Sequence, residues 1–209
     1  MPGMNDGGIT PIAKHFPGIG YADADPHSQL VTVSDLDQLK QREFIPFQAA
    51  IKAGVPAIMT THAVIPGVTG DEPVTMSPEG VALLRDDLGF KGLIVTDSLS
   101  MGAIADTRTQ PEAAVQALVA GNDVALIAGA ENIEPTHAAL VAAVADGTIS
   151  EDRLTKSTQR VLGFKGVTGP CPEGGTQPAA TSSTPVPVST QAPGTTVAQR
   201  DPLGGGQDG

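Results

Sequence analysis

Two groups of residues near the amino terminus have the side chains that proton transfer needs. Lys14 and His15 end a short apolar run, and a Pro-Gly-Ile-Gly turn follows them. Asp25 and His27 come a few residues later, with only Pro26 between them. A carboxylate at this spacing can lie beside the imidazole and set its tautomer and basicity. The pattern predicts a loop with a proton-transfer pair, although a polar surface loop has a similar composition.

Another candidate residue is Asp97, which follows a strongly apolar run and begins the segment DSLSM. A carboxylate so close to buried side chains is costly unless it is solvated, paired or functional. His62 also follows an apolar run, as Lys14 and His15 do. Because parallel strands end on one face of a sheet, all four residues are predicted to lie near one another. A loop or helix-capping aspartate is the plainer alternative for Asp97.

The elements that would hold these residues alternate along the chain. Strands are predicted at about 9–13, 55–59, 90–95 and 124–127, and helices at about 35–54, 77–88, 111–119, 134–145 and 150–162. This alternation is typical of βα units on a parallel sheet. The low aromatic content, 3%, also favours helices packed on a sheet over an aromatic-rich β fold.

Composition excludes several function classes. The net charge of -11 and a pI of about 4.6 argue against binding to nucleic acid or to an anionic membrane surface. The single cysteine, Cys171, excludes an internal disulfide and a cysteine-rich metal site. No apolar run is long enough to span a membrane, and residues 1–13 do not resemble a signal peptide. As written, the chain is predicted to be soluble and cytoplasmic.

The carboxyl-terminal part has a different composition. Residues 166–209 are mostly Pro, Thr, Ser and Gly, with almost no large apolar side chain. Such a segment cannot bury enough apolar surface to offset the entropy lost on ordering. It is therefore predicted to be a disordered tail.

The motifs resemble glycoside hydrolase family 3. The order of KHFPGxG, DxH and TDSLSM is most similar to the β-N-acetylglucosaminidases (β-N-acetylhexosaminidases) of that family, whose patterns are close to KHFPGHGxxxxDSH and SDDLSM. The resemblance covers about residues 8–164. Ile19, Pro26 and Ser98 depart from these patterns, and none of the three removes a proposed catalytic group. Pro26 would stiffen the loop.

The resemblance implies hydrolysis of terminal β-linked N-acetylglucosamine, from cell-wall muropeptides or related glycans, with retention and a covalent glycosyl-enzyme. Asp97 would be the nucleophile, His27 the general acid/base, and Asp25 the residue that orients His27. Three further positions would bind the sugar: Lys14, His15 and, in a supporting place, His62. A carbohydrate is then the expected partner, and neither a metal nor an organic cofactor is required.

The catalytic domain of the family is a (β/α)8 barrel of the TIM type, with the KHFPG strand near its middle. Here that strand begins at residue 9, so residues 1–165 are predicted to form roughly the second half of the barrel, about four βα units. A missing N-terminal half-barrel would leave edge strands and an apolar seam exposed. A full-length relative would be cytoplasmic, secreted or attached to the cell envelope, so the localisation stays open.

Three other interpretations remain. The chain could be a truncated half-barrel without catalytic competence, or one that acts only with a partner. It could be a β-glucosidase-type member of the family, although such members usually lack the DxH pair. It could instead be a flavodoxin-like binding module with PGIG as an anion-binding turn, which leaves TDSLSM unexplained.

Overall fold

The computed structural model describes residues 2–167 and has an α/β architecture. The central sheet consists of four parallel strands, in the order β1 (Ile12–Phe16), β3 (Ala57–Thr60), β5 (Leu93–Ser98) and β6 (Val124–Leu126). A smaller parallel sheet pairs β2 (Val31–Thr32) with β4 (Ala63–Val64). The predicted α/β class is confirmed. Successive strands of the central sheet are neighbours, as right-handed βα connections favour.

Helices connect the strands. They are α1 (Pro2–Asp6), α2 (Leu36–Gln41), α3 (Phe44–Lys52), α4 (Pro78–Ala82), α5 (Gly102–Ala105), α6 (Gln110–Ala120), α7 (Ile133–Ala145) and α8 (Glu151–Phe164). A π-helical turn, Leu83–Asp87, continues α4, and short 3-10 helices cover Val74–Met76 and Ala130–Asn132. Four helices begin after a residue whose side chain accepts a backbone N–H, which satisfies one free donor of the first turn: Asp35, Ser77, Thr109 and Ser150.

The helix predicted over 35–54 is in fact two helices. α2 ends at Gln41 and α3 begins at Phe44. Pro46 accounts for the interruption, because it has no N–H for the carbonyl of Arg42 and its ring would clash with that carbonyl in a continuous helix. The predicted third strand also extends further than expected, so Asp97 lies within the end of β5 rather than after it.

The register of the strands aligns their carboxyl ends. Thr60 of β3 pairs with Phe16 of β1 on one side and with Thr96 of β5 on the other. His15 and Asp97 are therefore brought to the same edge of the sheet, two strands apart. This is the edge at which α/β proteins commonly bind ligands.

Aromatic packing holds the end of β1. The ring of Phe16 is fully buried and lies 5.3 Å from the rings of both Phe44 and Phe47 on α3. Such aromatic pairs add about 0.5–1.5 kcal/mol to the stabilisation from burial. The residue next to His15 is thus anchored in the main core, between the sheet and α3.

A buried ion cluster stabilises the other end of the sheet, where β6 begins. The carboxylate of Asp123, directly before β6, has no exposed surface. It accepts hydrogen bonds from five groups: Arg85 (2.8 Å), Arg153 (3.4 Å), Arg160 (3.0 Å), the Ser157 hydroxyl (2.8 Å) and the Ile94 N–H (3.0 Å). These contacts join α8 and the π-helical turn to β5 and β6.

The two outer strands of the sheet have open edges within the described residues. β1 pairs only with β3 there, and β6 only with β5. Ile12 on β1 and Leu126 on β6 are 43% and 41% exposed. Each outer strand therefore has a partly exposed apolar side chain within the described residues.

Most of the predicted tail, from residue 168 onwards, lies outside the described residues. Across residues 2–167, no helix has both the length and the apolar character needed to cross a membrane.

Candidate active site

His15 and Asp97 form the centre of the candidate site. Nε2 of His15 lies 3.4 Å from Oδ2 of Asp97, and the two side chains are 20% and 15% exposed. Burial lowers the pKa of His15, while the Asp97 charge opposes this shift and the Lys14 charge adds to it. The geometry holds a largely buried carboxylate beside an imidazole, with one side of the pair open to solvent.

The second oxygen of Asp97 is held by the backbone. The N–H of Ser98 donates to Oδ1 of Asp97 at 2.8 Å. Both carboxylate oxygens therefore have a neighbour that restricts rotation of the side chain. A carboxylate fixed in this way can act as a nucleophile or as a counter-charge for a cation.

Asp25 and His27 form the predicted pair on the loop after β1. Nδ1 of His27 lies 2.7 Å from Oδ1 of Asp25, and the backbone N–H of His27 donates to the same oxygen at 2.9 Å. These bonds, first from the backbone N–H and then from the ring, lower the pKa of Asp25. With Nδ1 donating to the carboxylate, Nε2 is left for proton transfer.

The pair lies on an exposed loop. The side chains of His27 and Asp25 are 72% and 67% exposed. The base of the loop is closed by two bonds between Asp23 and Thr32: the Thr32 N–H donates to Oδ1 of Asp23 (2.9 Å), and the Asp23 N–H donates to the Thr32 carbonyl (3.2 Å). The loop is thus fixed at its base, while its catalytic candidates face solvent.

This loop contacts the segment that follows Asp97. The N–H of Gly102 donates to the carbonyl of His27 at 3.1 Å. A Cβ atom built on Gly102 would lie only 2.5 Å from the Ser28 carbonyl oxygen, so the close approach requires glycine. The Asp25–His27 pair and Asp97 are therefore linked through the backbone of Gly102.

His62 is fully buried beneath this region. Its Nε2 lies 3.0 Å from the Ser98 carbonyl oxygen, and its Nδ1 lies 3.1 Å from Oγ1 of Thr75. Burial is the main cause of a lowered pKa for His62. The expectation that His62 contacts sugar needs correction, because it has no exposed surface and both ring nitrogens face partners within the chain.

Lys14 is exposed at the end of β1. With His15, Glu43 and Phe47, it lines a cavity of about 380 Å³ beside the open edge of that strand. Lys14, His15 and Asp97 all lie at the carboxyl ends of the strands, as predicted.

Within residues 2–167 no three His, Cys, Asp or Glu side chains are grouped so that they could hold a metal ion.

The sequence did not identify two participants in the site, Gly102 and the backbone of Ser98. It also did not identify Thr75, which contacts the buried ring of His62 and lies outside the site. Gly102 directly follows Met101, the last residue of the DSLSM segment that begins with Asp97, so its place next to that motif was a usable signal. Thr75 had no such signal, because it lies on a short 3-10 helix without periodicity.

A comparison with protein families identifies the chain. The model "Glycosyl hydrolase family 3 N terminal domain" matches residues 1–164. The chain belongs to glycoside hydrolase family 3. The resemblance predicted from the KHFPG, DxH and TDSLSM motifs is confirmed at the level of the family.

Two relatives of the chain are named as hexosaminidases or N-acetylglucosaminidases. The chain is 33% identical over 175 residues to the protein named beta-hexosaminidase LpqI of Mycobacterium tuberculosis, covering 81% of this chain and 45% of that protein. It is 31% identical to the "Beta-N-acetylglucosaminidase/beta-glucosidase" of Cellulomonas fimi, with 78% of this chain and 30% of that one covered.

A solved structure of the family is also similar. The β-N-acetylglucosaminidase from Paenibacillus sp. FPU-7 is 37% identical and superposes with a TM-score of 0.76, covering 88% of this chain and 36% of that one. The glycoside hydrolase family 3 chain described here therefore spans less than half the length of these relatives.

Proposed function

We propose that this family 3 chain contributes to hydrolysis of terminal β-linked N-acetylglucosamine, with retention of configuration. The observation that carries the proposal is the Asp97 carboxylate, which has Ser98 N–H on one oxygen and His15 at 3.4 Å from the other. An orientated carboxylate with an open side suits attack on an anomeric carbon. The names of the relatives support the sugar class.

The proposed reaction uses two side chains. In the first step Asp97 attacks the anomeric carbon, and the glycosidic bond breaks as Nε2–H of protonated His27 gives its proton to the leaving oxygen. In the second step neutral His27 takes a proton from water, and that water displaces Asp97 from the sugar. The 2.7 Å contact between Asp25 and Nδ1 of His27 supports this use of Nε2.

Sugar binding is assigned to Lys14 and His15. Both lie at the end of β1, and their side chains can donate hydrogen bonds to hydroxyl groups. His62 is not included, because it is fully buried. Positioning of this kind contributes to rate by holding the substrate in a reactive geometry.

The proposal includes a fold for the complete catalytic domain. Residues 1–165 would be part of a (β/α)8 barrel. The four parallel strands with open outer edges support this arrangement. The alignment covers 45% of the length of the LpqI relative, which supports a chain that holds only part of such a protein.

The first experiment measures hydrolysis by the purified 209-residue chain. The substrates are the 4-nitrophenyl β-glycosides of N-acetylglucosamine and of glucose. We expect release of nitrophenol from the first, and a loss of at least about 10⁴-fold in kcat for Asp97→Asn. Asp86→Asn is the matched control, since Asp86 is exposed on the π-helical turn.

The name of the Cellulomonas relative supports a second activity, on β-glucosides. Hydrolysis of only the glucoside would replace the hexosaminidase proposal with that one. Full activity of Asp97→Asn would overturn the role of Asp97. No hydrolysis of either substrate by the wild-type chain would overturn the proposed activity for this chain and favour the incompetent half-barrel.

A second experiment traps the covalent intermediate. A fluorinated N-acetylglucosaminyl fluoride, which forms the glycosyl-enzyme faster than water removes it, is incubated with the chain. Mass spectrometry of the peptides should find one added sugar on the peptide that contains Asp97. A label on another peptide, or none, would contradict the assignment of the nucleophile.

A further inference from the structure

The ring of His62 lies beside the carboxyl end of β5, the strand that carries Asp97. The regular pairing of β3 with β5 ends at Thr60 and Thr96, whereas β5 continues to Ser98. Beyond this point β3 offers no further backbone donor to β5. The imidazole of His62 fills the gap, because its Nε2 lies 3.0 Å from the Ser98 carbonyl oxygen.

The peptide between Ser98 and Leu99 is held from two sides. His62 faces its carbonyl group, and its N–H, which belongs to Leu99, donates to the Leu126 carbonyl on β6 at 2.9 Å. The preceding N–H, that of Ser98, donates to Oδ1 of Asp97. The backbone that orients the carboxylate is therefore clamped between His62 and β6.

Counting protons defines the state of His62. The Ser98 carbonyl only accepts, so Nε2 must carry the hydrogen. The Thr75 hydroxyl has one proton and lies 3.1 Å from Nδ1 and 2.9 Å from the Thr61 carbonyl. Burial favours the neutral ring by lowering its pKa. The neutral Nε2–H tautomer satisfies both the Ser98 carbonyl and the effect of burial. The one proton of the Thr75 hydroxyl is donated to the Thr61 carbonyl, and Nδ1 lies within reach of the same hydroxyl.

We propose that His62 is a positioning residue for the nucleophile. Its Nε2–H holds the Ser98 carbonyl, and the Ser98 N–H in turn holds Oδ1 of Asp97. This inference rests on the proposed function, since it gives Asp97 the role of nucleophile. His62 touches no sugar and acts only through the backbone of β5.

The chemistry is sensitive to such positioning. Without the Nε2–H donor, the Ser98 carbonyl would be left unsatisfied in a half-buried place, and the peptide would turn toward another donor. A misplacement of about 1 Å at a reacting group can cost about 10²-fold in rate. The loss would fall on kcat, because the groups proposed to bind sugar are unchanged.

A matched pair of variants tests the donor. The amide nitrogen of glutamine can take the place of Nε2, so His62→Gln keeps a donor for the Ser98 carbonyl. Asparagine is shorter and reaches only the place of Nδ1, so His62→Asn loses that donor. We expect His62→Asn to lower kcat by about 10²-fold with little change in KM, and His62→Gln to recover most of the loss.

Thr75→Val is the control for a purely structural effect. It leaves the Ser98 contact intact but removes the hydroxyl that donates to the Thr61 carbonyl and contacts Nδ1. A buried acceptor left unsatisfied costs about 1–3 kcal/mol of folding free energy. The melting temperature of Thr75→Val should fall as that of His62→Asn does, while its kcat stays near the wild-type value. Equal losses of kcat in Thr75→Val and His62→Asn, or in His62→Gln and His62→Asn, would overturn the proposal.

A readout that needs no hydrolysis separates this inference from the proposed function. Nitrogen-15 spectra of the full chain should show His62 as the Nε2–H tautomer with a slowly exchanging ring proton. The amide resonance of Ser98 and the carboxyl resonance of Asp97 should shift in His62→Asn but much less in Thr75→Val. The Nδ1–H tautomer, or unshifted resonances, would overturn the inference even in an active chain. Absent hydrolysis with the expected spectra would contradict only the function.

Discussion

The backbone N–H of Gly102 donates a 3.1 Å hydrogen bond to the carbonyl of His27. This contact joins the loop that carries the candidate acid/base to the segment that follows Asp97. The side chain of His27 is 72% exposed, so its position depends on this backbone contact together with the neighbouring Pro26, which is buried. The distance between the proposed catalytic residues His27 and Asp97 therefore depends in part on Gly102, a residue without a side chain.

Gly102→Ala should displace the loop. The added Cβ would lie 2.5 Å from the Ser28 carbonyl oxygen and 3.4 Å from that of His27, and the first distance requires the backbone to move. We expect kcat to fall by about 10²-fold, because His27 is shifted relative to the substrate. The measurement is kcat with the N-acetylglucosaminide substrate, beside the melting temperature.

Gly163→Ala is the control for this variant. Gly163 lies in α8, and apart from its chain neighbours and the backbone of its own helix no described atom lies within 4 Å of the position that an added Cβ would occupy. Alanine should stabilise the helix there by about 0.5–1 kcal/mol and leave kcat unchanged. A Gly102→Ala variant with wild-type kcat would contradict the importance of the loop contact.

The bond between Asp25 and His27 should be visible in the titration of Asp25. Hydrogen bonds from His27 hold the pKa of Asp25 below 3.8. Since the pKa of Asp25 is lowered in the folded chain, the contact is fully present above about pH 3.8. It is lost as the pH falls through the lower pKa of the folded chain. Carbon-13 spectra of the carboxyl group should follow this change.

His27→Ala provides the comparison for that titration. It removes the ring donor and keeps the backbone N–H, so the pKa of Asp25 should rise part of the way toward 3.8. An unchanged titration in His27→Ala would mean that the ring does not bond to the carboxylate in solution.

The sequence predicted those parts of the site that depend on local pattern. Apolar runs locate the ends of the strands, and parallel strands end together, so His15 and Asp97 could be expected at one edge. The pairing of Asp25 with His27 follows from their spacing. These features need no knowledge of how distant elements pack.

Other features depend on tertiary contacts and could not be predicted in the same way. His62 follows an apolar run like the other candidates, but the direction of its side chain is set by its contact with the Ser98 carbonyl at the extended end of β5. The break between α2 and α3 had a visible cause in Pro46, although the apolar spacing across it still suits one helix. The periodicity of apolar residues alone cannot distinguish one long helix from two short ones.

The Asp123 cluster should be essential for folding rather than for catalysis. Asp123→Ala leaves three arginines, Arg85, Arg153 and Arg160, without their shared carboxylate. Breaking a buried ion pair by removing one partner costs about 3–5 kcal/mol. We expect a loss of this size in the free energy of unfolding, measured by urea denaturation.

An exposed pair serves as the control for Asp123→Ala. Asp152 lies 2.6 Å from Lys156 on α8, with its side chain 74% exposed. Asp152→Ala should change the free energy of unfolding by about 0–1 kcal/mol, because surface ion pairs contribute little. Similar losses in the two variants would contradict the structural importance of Asp123.

Stability should depend on pH through the buried histidines. Burial lowers the pKa values of both His62 and His15 below 6.5 in the folded chain. Between the folded-state values and 6.5 the unfolded chain binds more protons than the folded chain, so acidification favours unfolding. The contribution of the two neutral histidines to the free energy of unfolding is complete above about pH 6.5 and is lost progressively as the pH falls below that value.

Two variants assign this dependence to His62. His62→Gln keeps the donor to Ser98 but cannot titrate, so its melting temperature should fall less than that of the wild type between about pH 7.5 and about pH 5.5. A remaining slope is expected from His15, which faces Asp97 at 3.4 Å. His137→Gln, at an exposed position on α7, should keep the full wild-type slope. Equal slopes in wild type and His62→Gln would show that His62 does not bind its proton differently in the folded and unfolded chains.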